Sequence, residues 1–344
     1  SGKPYQQIRF SDNMGDIFGR VRRTSSLGEP IPPTFETGKL VETIAIGLMA
    51  TLFSTIIAAP LSFLGAKNIM QRIPGGNAIY YLMRLIFNIV RAVDTVVWGI
   101  FVIVWVGLGS FAGVISLTIH SAAALAKLFS EEIEHIDSGP VEAITAAGGN
   151  TLQVIRYGVI PQIIPSFLGY TLLRWDINMR SATVVGFVAG GGIGYFVIET
   201  IRMGAYQEYA AALWAVAVVI IIVDAISSRL RENIMLDKPK SPPKSKLLGN
   251  MKTAVYWVLG IALITYCWDI TKIDLKSMFQ PGPTFAQILR DFINIDLSPA
   301  VLDTVTKQIV ITIFQAMLAT FVGAVLAAPL SFLAAKNLTG KSKL

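Results

Sequence analysis

The chain has 344 residues, of which 53% are hydrophobic and 15% are charged, and its formal net charge is +7. This composition excludes an ordinary soluble domain and predicts a protein with several membrane spans, surrounded by membrane lipids. The positive charge would suggest nucleic acid in a soluble protein. Here, however, the basic residues gather in loops beside apolar runs, which is typical of membrane topology, and no nucleic-acid partner is expected.

Sites built on thiols or imidazoles are disfavoured by the same composition. Cys267 is the only cysteine, which excludes an internal disulfide, and the only histidines are His120 and His135. We therefore expect no clustered metal site and no cofactor held by this chain. The sequence begins at Ser1 without a visible signal peptide, which is consistent with a processed or partial product.

Apolar runs suited to membrane helices follow a polar N-terminal segment. The uncharged runs are residues 43–66, 95–126, 181–198, 209–223, 253–268 and 308–335. A helix needs about 20 residues to cross a bilayer, so the second run is too long for one span. Residues 107–110 divide that run, and we predict one span ending near Gly107 and another beginning near Phe111. The predicted fold class is all-α, a polytopic bundle of transmembrane helices.

The basic segment 229–252 sets the predicted orientation. It contains seven Lys and Arg residues against two acidic residues, so the positive-inside rule places it in the cytoplasm. Counting spans backward from it places the polar segment 131–163 on the same side. The predicted organisation is an external segment 1–36, a core 37–233 with about five transmembrane helices, a cytoplasmic linker 234–250 and a final segment 251–344 with about two transmembrane helices.

An internal repeat links the first core span to the end of the chain. Ala58 to Asn68 reads AAPLSFLGAKN and Ala327 to Asn337 reads AAPLSFLAAKN, so ten of eleven positions agree. A match of this length indicates duplication rather than chance. Residues 251–344 are therefore predicted to open a second repeat. This second repeat has its own leading span, which we expect the first repeat to lack in this chain. Pro60 and Pro329 are predicted to kink the inner ends of their spans or to end those helices.

The cytoplasmic segment from Glu142 to Pro161 reads EAITAAGGNTLQVIRYGVIP. Its first part contains small helix formers, Gly148 and Gly149 interrupt it, and a second apolar pattern from Val154 is predicted to stop at Pro161. Such a helix-turn-helix unit can lie in a groove of a partner, with Glu142 available for a charge-assisted contact. An ordinary interfacial loop is the alternative.

The fourth core span carries charges at membrane depth. Arg174 and Asn178 are four residues apart, as are Asp176 and Arg180, so each pair lies close on a helix. Such groups are costly in a membrane and usually face a cavity or a partner, so all four are candidates for the translocation pathway. We expect a structural salt bridge between Asp176 and Arg180. Arg174 suits recognition of a tetrahedral oxyanion, and helix packing is its alternative role.

A glycine-rich run, GFVAGGGIG from Gly186 to Gly194, follows this span. Gly190, Gly191 and Gly192 are further candidates for the pathway, because glycines permit close backbone approach or an unwound turn beside a transport path. Helix packing alone is the alternative. The run is not a dinucleotide-binding fingerprint, since no strand precedes it.

These segments resemble a known family of membrane proteins. The order Glu142-Ala143, then Gly148, Gly149 and Pro161, resembles the ATPase-docking EAA loop of permease subunits in binding-protein-dependent ABC importers. Ile144 replaces the usual second alanine of that loop, and Gly158 stands where an isoleucine is common. The stretches beginning at Arg91, Leu128 and Tyr170, and the final span, look like phosphonate-transporter permeases of the PhnE-like type.

The resemblance implies a MetI-like type I importer permease core in the bacterial plasma (inner) membrane, which makes no chemical bond itself. The implied partners are cytoplasmic ABC ATPase subunits that use ATP, a periplasmic or lipid-anchored phosphonate-binding protein, and a second permease unit as a dimer or a fused repeat. The sequence agrees, because it has no phosphate-binding G-x-x-x-x-G-K-[ST] motif. Gly340-Lys341-Ser342 has Ala335 where the first glycine should stand.

The implied cargo is phosphonate or a related phosphorus oxyanion. The same machine with another cargo, such as phosphite, methionine or betaine, is one alternative. An ion-coupled secondary transporter that uses Arg174, Asp176 and His120 as a relay is a second alternative, and a non-transporting membrane scaffold is a third.

Overall fold

The structure is a computed structural model that describes residues 16–24, 30–71, 73–235, 246–279, 287, 290–291, 294 and 298–334. These residues divide into two compact units, with the division between Phe285 and Ala286. The first unit contains all elements except the last helix. Each unit is described by itself below.

Helices make up almost all of the regular structure, which confirms the predicted all-α class. A two-stranded antiparallel hairpin, in which Gly19 pairs with Thr37, precedes the first helix. The elements are β1 (Gly19–Thr24), β2 (Pro30–Thr37), α1 (Lys39–Leu64), α2 (Lys67–Met70), α3 (Gly76–Ala92), α4 (Thr95–Val106), α5 (Ser110–Glu134), α6 (Ser138–Ala146), α7 (Thr151–Val154), a π-helical turn (Ile155–Val159), α8 (Ile160–Ala189), α9 (Gly192–Arg202), α10 (Tyr206–Met235), α11 (Lys246–Ile270), α12 (Leu275–Phe279) and α13 (Pro299–Ala334).

Several of these helices are long and apolar enough to cross a membrane. Single helices α1, α5, α10 and α13 meet this condition alone. Two bent pairs meet it jointly: α3 with α4, bent by 93°, and the continuous stretch α7 to α8 with α9, bent by 51°. The first unit therefore offers up to five spans among the described residues. The predicted division of the long apolar run is confirmed, since α4 ends at Val106 and α5 begins at Ser110.

Helix α1 lies at the centre of the first unit and packs against α5, α8, α9 and α11. Small residues permit this close packing, because lipid offers no hydrophobic drive for association and helices must gain from tight contact instead. At Gly47, an added Cβ would lie 2.7 Å from the sulfur of Met179. The main core brings together Ala50 of α1, Leu117 of α5 and Val185 of α8.

The segment that follows the basic linker also belongs to the first unit. Cys267 of α11 is buried in the main core. The rings of Phe53 and Trp268 meet edge to face with centroids 6.1 Å apart, and the indole nitrogen of Trp105 donates to the Met278 carbonyl at 3.1 Å. The first unit thus includes α11 and α12, which follow the basic linker.

The second unit contains α13, a single helix of 36 residues. None of its most apolar window is buried. Pro329 lies inside this helix, as Pro60 lies inside α1, so neither proline ends its helix.

Candidate functional site

The segment predicted to dock a partner forms a helix-turn-helix unit, as the sequence indicates. Asp137 caps α6 by accepting a hydrogen bond from the Gly139 amide at 3.0 Å. Gly148 then adopts a φ of 82° and turns the chain. Asn150 and Gln153 start α7 with a reciprocal capping box, with hydrogen bonds of 2.8 and 2.9 Å. We call residues 138–160 the docking loop.

The prediction that Pro161 stops the second helical piece is wrong. The chain passes from α7 through one π-helical turn into α8, which begins at Ile160 and runs to Ala189. Pro161 is the second residue of α8 and directly follows the π-helical turn, so its missing N–H falls where the hydrogen-bond pattern changes, and its fixed φ suits the helix. The proline therefore starts the long span rather than ending the loop.

The two departures from the usual loop sequence compensate each other in space. A Cβ added at Gly158 would lie 3.3 Å from Cδ1 of Ile144 and 3.4 Å from Cα of Val141. The side chain of Ile144 thus occupies the space beside residue 158. Gly149 is fitted to the same side chain, since a Cβ there would lie 2.7 Å from Cγ2 of Ile144.

The docking loop has a buried base and an exposed outer side. Val141, Val154 and Val159 pack in one apolar cluster with Ile69 and Met70, the residues that follow α1. Those valines fix the loop to the transmembrane helices.

The outer side exposes Glu142 and Ala143, together with Leu152 at 77% and Tyr157 at 62% exposure. The guanidinium of Arg156 lies over the Tyr157 ring, 5.7 Å from its centroid. Exposed apolar and aromatic side chains beside charged groups are typical of a protein-binding surface. The sequence analysis missed Leu152 and Tyr157, although large apolar residues within a polar segment were a usable signal.

Arg174 and Asn178 lie in a buried polar cluster between three spans. The Arg174 Nε donates to Ser121 Oγ at 2.9 Å, and Ser121 Oγ donates to Asn178 Oδ1 at 2.6 Å. The Asn178 amide donates in turn to Thr51 Oγ1 at 2.9 Å, and Thr51 donates to the Gly47 carbonyl at 2.7 Å. The four side chains at residues 51, 121, 174 and 178, which we call the polar cluster, join α1, α5 and α8.

The expected salt bridge between Asp176 and Arg180 is present. The Asp176 side chain is buried and that of Arg180 is 55% exposed. This pair is not part of the polar cluster. The Nδ1 atom of His120 lies 3.0 Å from the Val93 carbonyl oxygen, at the end of α3.

The glycine-rich run forms the predicted break between α8 and α9. Gly190 and Gly192 have φ angles of 75° and 66°, which only glycine adopts readily. A Cβ at Gly191 would lie 2.7 Å from Cα of Ser110, and the Ile193 amide donates to Thr43 Oγ1 at 2.7 Å. The break therefore packs directly on α1 and α5.

A cavity of about 980 Å³ lies beside the glycine break, at the start of α1 and α5. Its lining includes Gly190, Lys39, Glu42, Glu199 and Lys272. The four polar candidates of α8, residues 174, 176, 178 and 180, are not among the lining residues. The structure thus separates the two groups of predicted pathway residues.

Comparison with known proteins identifies the class. Residues 58–235, just over half of the chain, match the family described as "Binding-protein-dependent transport system inner membrane component". The chain belongs to this family. It is a transmembrane permease subunit of an ABC importer, a transport component rather than an enzyme.

Individual relatives and a solved structure show which transport proteins this chain is similar to. The phosphite transport system permease protein PtxC of Stutzerimonas stutzeri is 34% identical over 60% of this chain and 75% of the relative. The phosphate-import permease protein PhnE of Mycolicibacterium smegmatis is 28% identical over 98% of this chain, but only 61% of that relative is covered. A solved inward-facing structure of the MetNI methionine ABC transporter has a TM-score of 0.52 at 19% identity, covering 57% of this chain and 94% of that chain. That structural likeness establishes the fold.

Exchanging the side chains at positions 144 and 158 tests the packing of the docking loop. Ile144→Ala leaves a void and Gly158→Ile overfills the same space, so each alone should lower the free energy of unfolding by about 1–3 kcal/mol. The double variant should cost clearly less than the sum. The measurement is thermal unfolding of the purified chain in detergent, with the exposed Leu152→Ala as a neutral control. Additive costs would contradict the compensation.

A second substitution tests the polar cluster. Thr51→Val keeps the side-chain shape but removes the acceptor of the Asn178 amide, and should destabilise the helix bundle by about 1 kcal/mol. The matched control is Ser54→Ala, because the Ser54 hydroxyl is equally buried but bonds only to its own helix, at Thr51 O. Equal unfolding temperatures for the two variants would refute a role for the interhelical bond.

Proposed function

We propose that this permease imports phosphonate or a related phosphorus oxyanion into a bacterial cytoplasm, driven by a separate ABC ATPase that grips the docking loop. A periplasmic or lipid-anchored phosphonate-binding protein delivers the cargo to the outer face. Two relatives named for phosphite and phosphate import support this cargo class. Both anions are tetrahedral phosphorus oxyanions, as a phosphonate is.

The exposed side of the docking loop is the main observation that supports the proposed ATPase contact. Glu142, Leu152 and Tyr157 are presented by a loop whose base is fixed by buried valines. A surface of this kind transmits force, because the loop cannot shift without moving the helices on which it packs. Ala143, Gly148, Gly149 and Pro161 complete the proposed docking element by shaping the turn and starting α8.

The polar residues of α8 are the proposed pathway candidates, together with the glycine break. Arg174 is the preferred group for sensing an oxyanion, because its Nε bonds to the Ser121 hydroxyl and its fork of donors has no other hydrogen-bond partner among the described residues. Asn178 holds the same cluster in place. Asp176 and Arg180 form a separate pair on α8. Gly190 lines the cavity, and Gly191 and Gly192 follow it in the glycine break.

We also propose that residues 251–344 open a second permease repeat, and that the transporter needs a second permease unit, as a dimer or a fused repeat. The repeated motif at Ala58 and Ala327 supports this organisation. The relative PhnE of Mycolicibacterium smegmatis supports it too, because its similarity continues through 98% of this chain.

Reversing the charge of Glu142 tests the docking proposal. Glu142→Lys should reduce methylphosphonate-stimulated ATP hydrolysis at least about tenfold, since a charge-assisted contact of about 1.5–3 kcal/mol is replaced by repulsion. The measurement uses the reconstituted complex with its ATPase and binding protein. Glu232→Lys is the control, an equally exposed acid at the end of α10. An unaffected Glu142→Lys complex would contradict the assignment.

Removing the guanidinium of Arg174 tests the cargo contact. Arg174→Leu should reduce methylphosphonate uptake about tenfold, because the pathway loses its oxyanion donor, whereas ATPase subunits should still copurify. Uptake of methylphosphonate and phosphite into proteoliposomes is the measurement. Arg174→Lys, which keeps the charge but not the fork of donors, should give an uptake between that of the unsubstituted permease and that of Arg174→Leu. Normal uptake by Arg174→Leu would assign this residue to helix packing.

A further inference from the structure

The inner end of α1 is fixed to the base of the docking loop by residues 65–70, which contain the short helix α2 and which we call the elbow. Ile69 and Met70 of the elbow share one buried apolar cluster with Val141, Val154 and Val159 of the loop. Moving the loop away from the elbow would expose this apolar surface, which opposes separation. A displacement of the loop is therefore passed to the elbow.

Polar contacts fix the elbow to the end of α5 as well. The Lys67 amide donates to Glu134 Oε1 at 2.8 Å, and the Asn68 side-chain amide donates to the Ile133 carbonyl at 2.7 Å. Arg84 of α3 donates to the Gly65 carbonyl at 3.1 Å and pairs with Glu134 at 2.8 Å. The docking loop begins only a few residues after Glu134, so these bonds hold the elbow and the loop as one body.

Helix α1 connects the elbow to the polar cluster. Thr51, which accepts from Asn178, lies fourteen residues before Gly65, and a helix rises by about 1.5 Å per residue, so the two are about 21 Å apart. Pro60 lies between them and removes one backbone hydrogen bond of the helix. A helix of this length passes an axial displacement from its inner end to its middle.

The internal repeat retains the two ends of this connection. Residues 58–68 recur at ten of eleven positions, whereas residues 40–57 recur at only five of eighteen positions with the same spacing. Of the five polar residues between positions 40 and 57, the repeat keeps two, Thr43 and Thr51, as Thr312 and Thr320. Those two accept bonds from the Ile193 amide and from Asn178, on other helices. Ser54, which bonds only within α1, is replaced by Gly323.

We propose that the elbow is the coupling element that carries movement of the docking loop through α1 to the polar cluster, with Asn68 as its main positioning residue. The inference rests on the proposed function, because it requires an ATPase that moves the loop. Asn68 is singled out since its side chain, unlike that of the exposed Lys67, makes the bond to α5. The elbow touches neither cargo nor ATPase in this scheme.

Coupling efficiency is the first test. In the reconstituted complex, Asn68→Asp keeps the shape of the side chain but replaces the donor to Ile133 with an oxygen that the carbonyl repels. It should lower methylphosphonate transported per ATP hydrolysed at least about fivefold, since one hydrogen bond is lost and a repulsion is added. Copurification of the ATPase should not change. Gln71→Ala, an exposed position next to the elbow, is the control and should transport normally. An unchanged transport ratio in Asn68→Asp would overturn the proposal.

A distance measurement supplies a test that does not depend on stability of the Asn68 variant. Spin labels are placed at Gln71→Cys and Ala147→Cys, both exposed, in a Cys267→Ser background that retains uptake. The permease is labelled before the ATPase is added. The distance between labels should stay the same with and without ATP, because elbow and loop move together, and Asn68→Asp should make it depend on ATP.

The outcomes separate this proposal from the one on which it rests. A label distance that changes with ATP in the absence of Asn68→Asp would overturn the elbow as a coupling element. Failure of the ATPase to copurify even with the unsubstituted permease would instead overturn the docking function itself.

Discussion

The close approach of α1 to α5 and α8 is the interaction on which the remaining structure depends. Because lipid is as apolar as the helix surfaces, the spans gain little from burying Leu or Ile against one another and must gain from contact distance and hydrogen bonds. Gly47 and Ala50 provide the contact distance. Thr51 and Asn178 provide a bond between helices at 2.9 Å, in a position that water does not reach. Loss of the Thr51 hydroxyl would leave the buried Asn178 amide without this acceptor.

The position of the docking loop depends on apolar burial at its base rather than on contacts between spans. Its valines are buried because they meet Ile69 and Met70, and this contact leaves Glu142 and Tyr157 on the outer side. One side chain fills the space between α6 and the π-helical turn. Ile144 fills it here and Gly158 leaves room. An unusual residue in one half of the loop is thus explained by an unusual residue in the other half.

Local patterns were sufficient to predict the features that depend on neighbouring residues. The helix break at residues 107–110, the turn at Gly148, the interruption at Gly190 and the pair Asp176–Arg180 all involve positions within a few residues of one another. Pro161 was misread because a proline stops a preceding helix and starts a following one equally well, and the sequence does not state which applies.

Features set by distant contacts were not predictable in the same way. Thr51 and Ser121 are single hydroxyls in apolar runs, and such residues usually bond to their own helix, so nothing local distinguishes them. The packed unit continues past the basic linker because Cys267 and Trp268 meet the first core, a contact between segments more than 200 residues apart. Only the repeated motif linked distant segments of the sequence, and it indicated duplication rather than a packing contact.

The position of α1 joins these regions into one mechanical arrangement. Its first turns meet the glycine break through Thr43, its middle meets the polar cluster through Thr51, and its end meets the docking loop through the elbow. A side-chain hydrogen bond tolerates only a few tenths of an ångström before it weakens, so an axial shift of this helix cannot preserve both threonine bonds in place. The glycine break and the polar cluster, although they do not share a cavity, must therefore respond together to any movement that reaches α1.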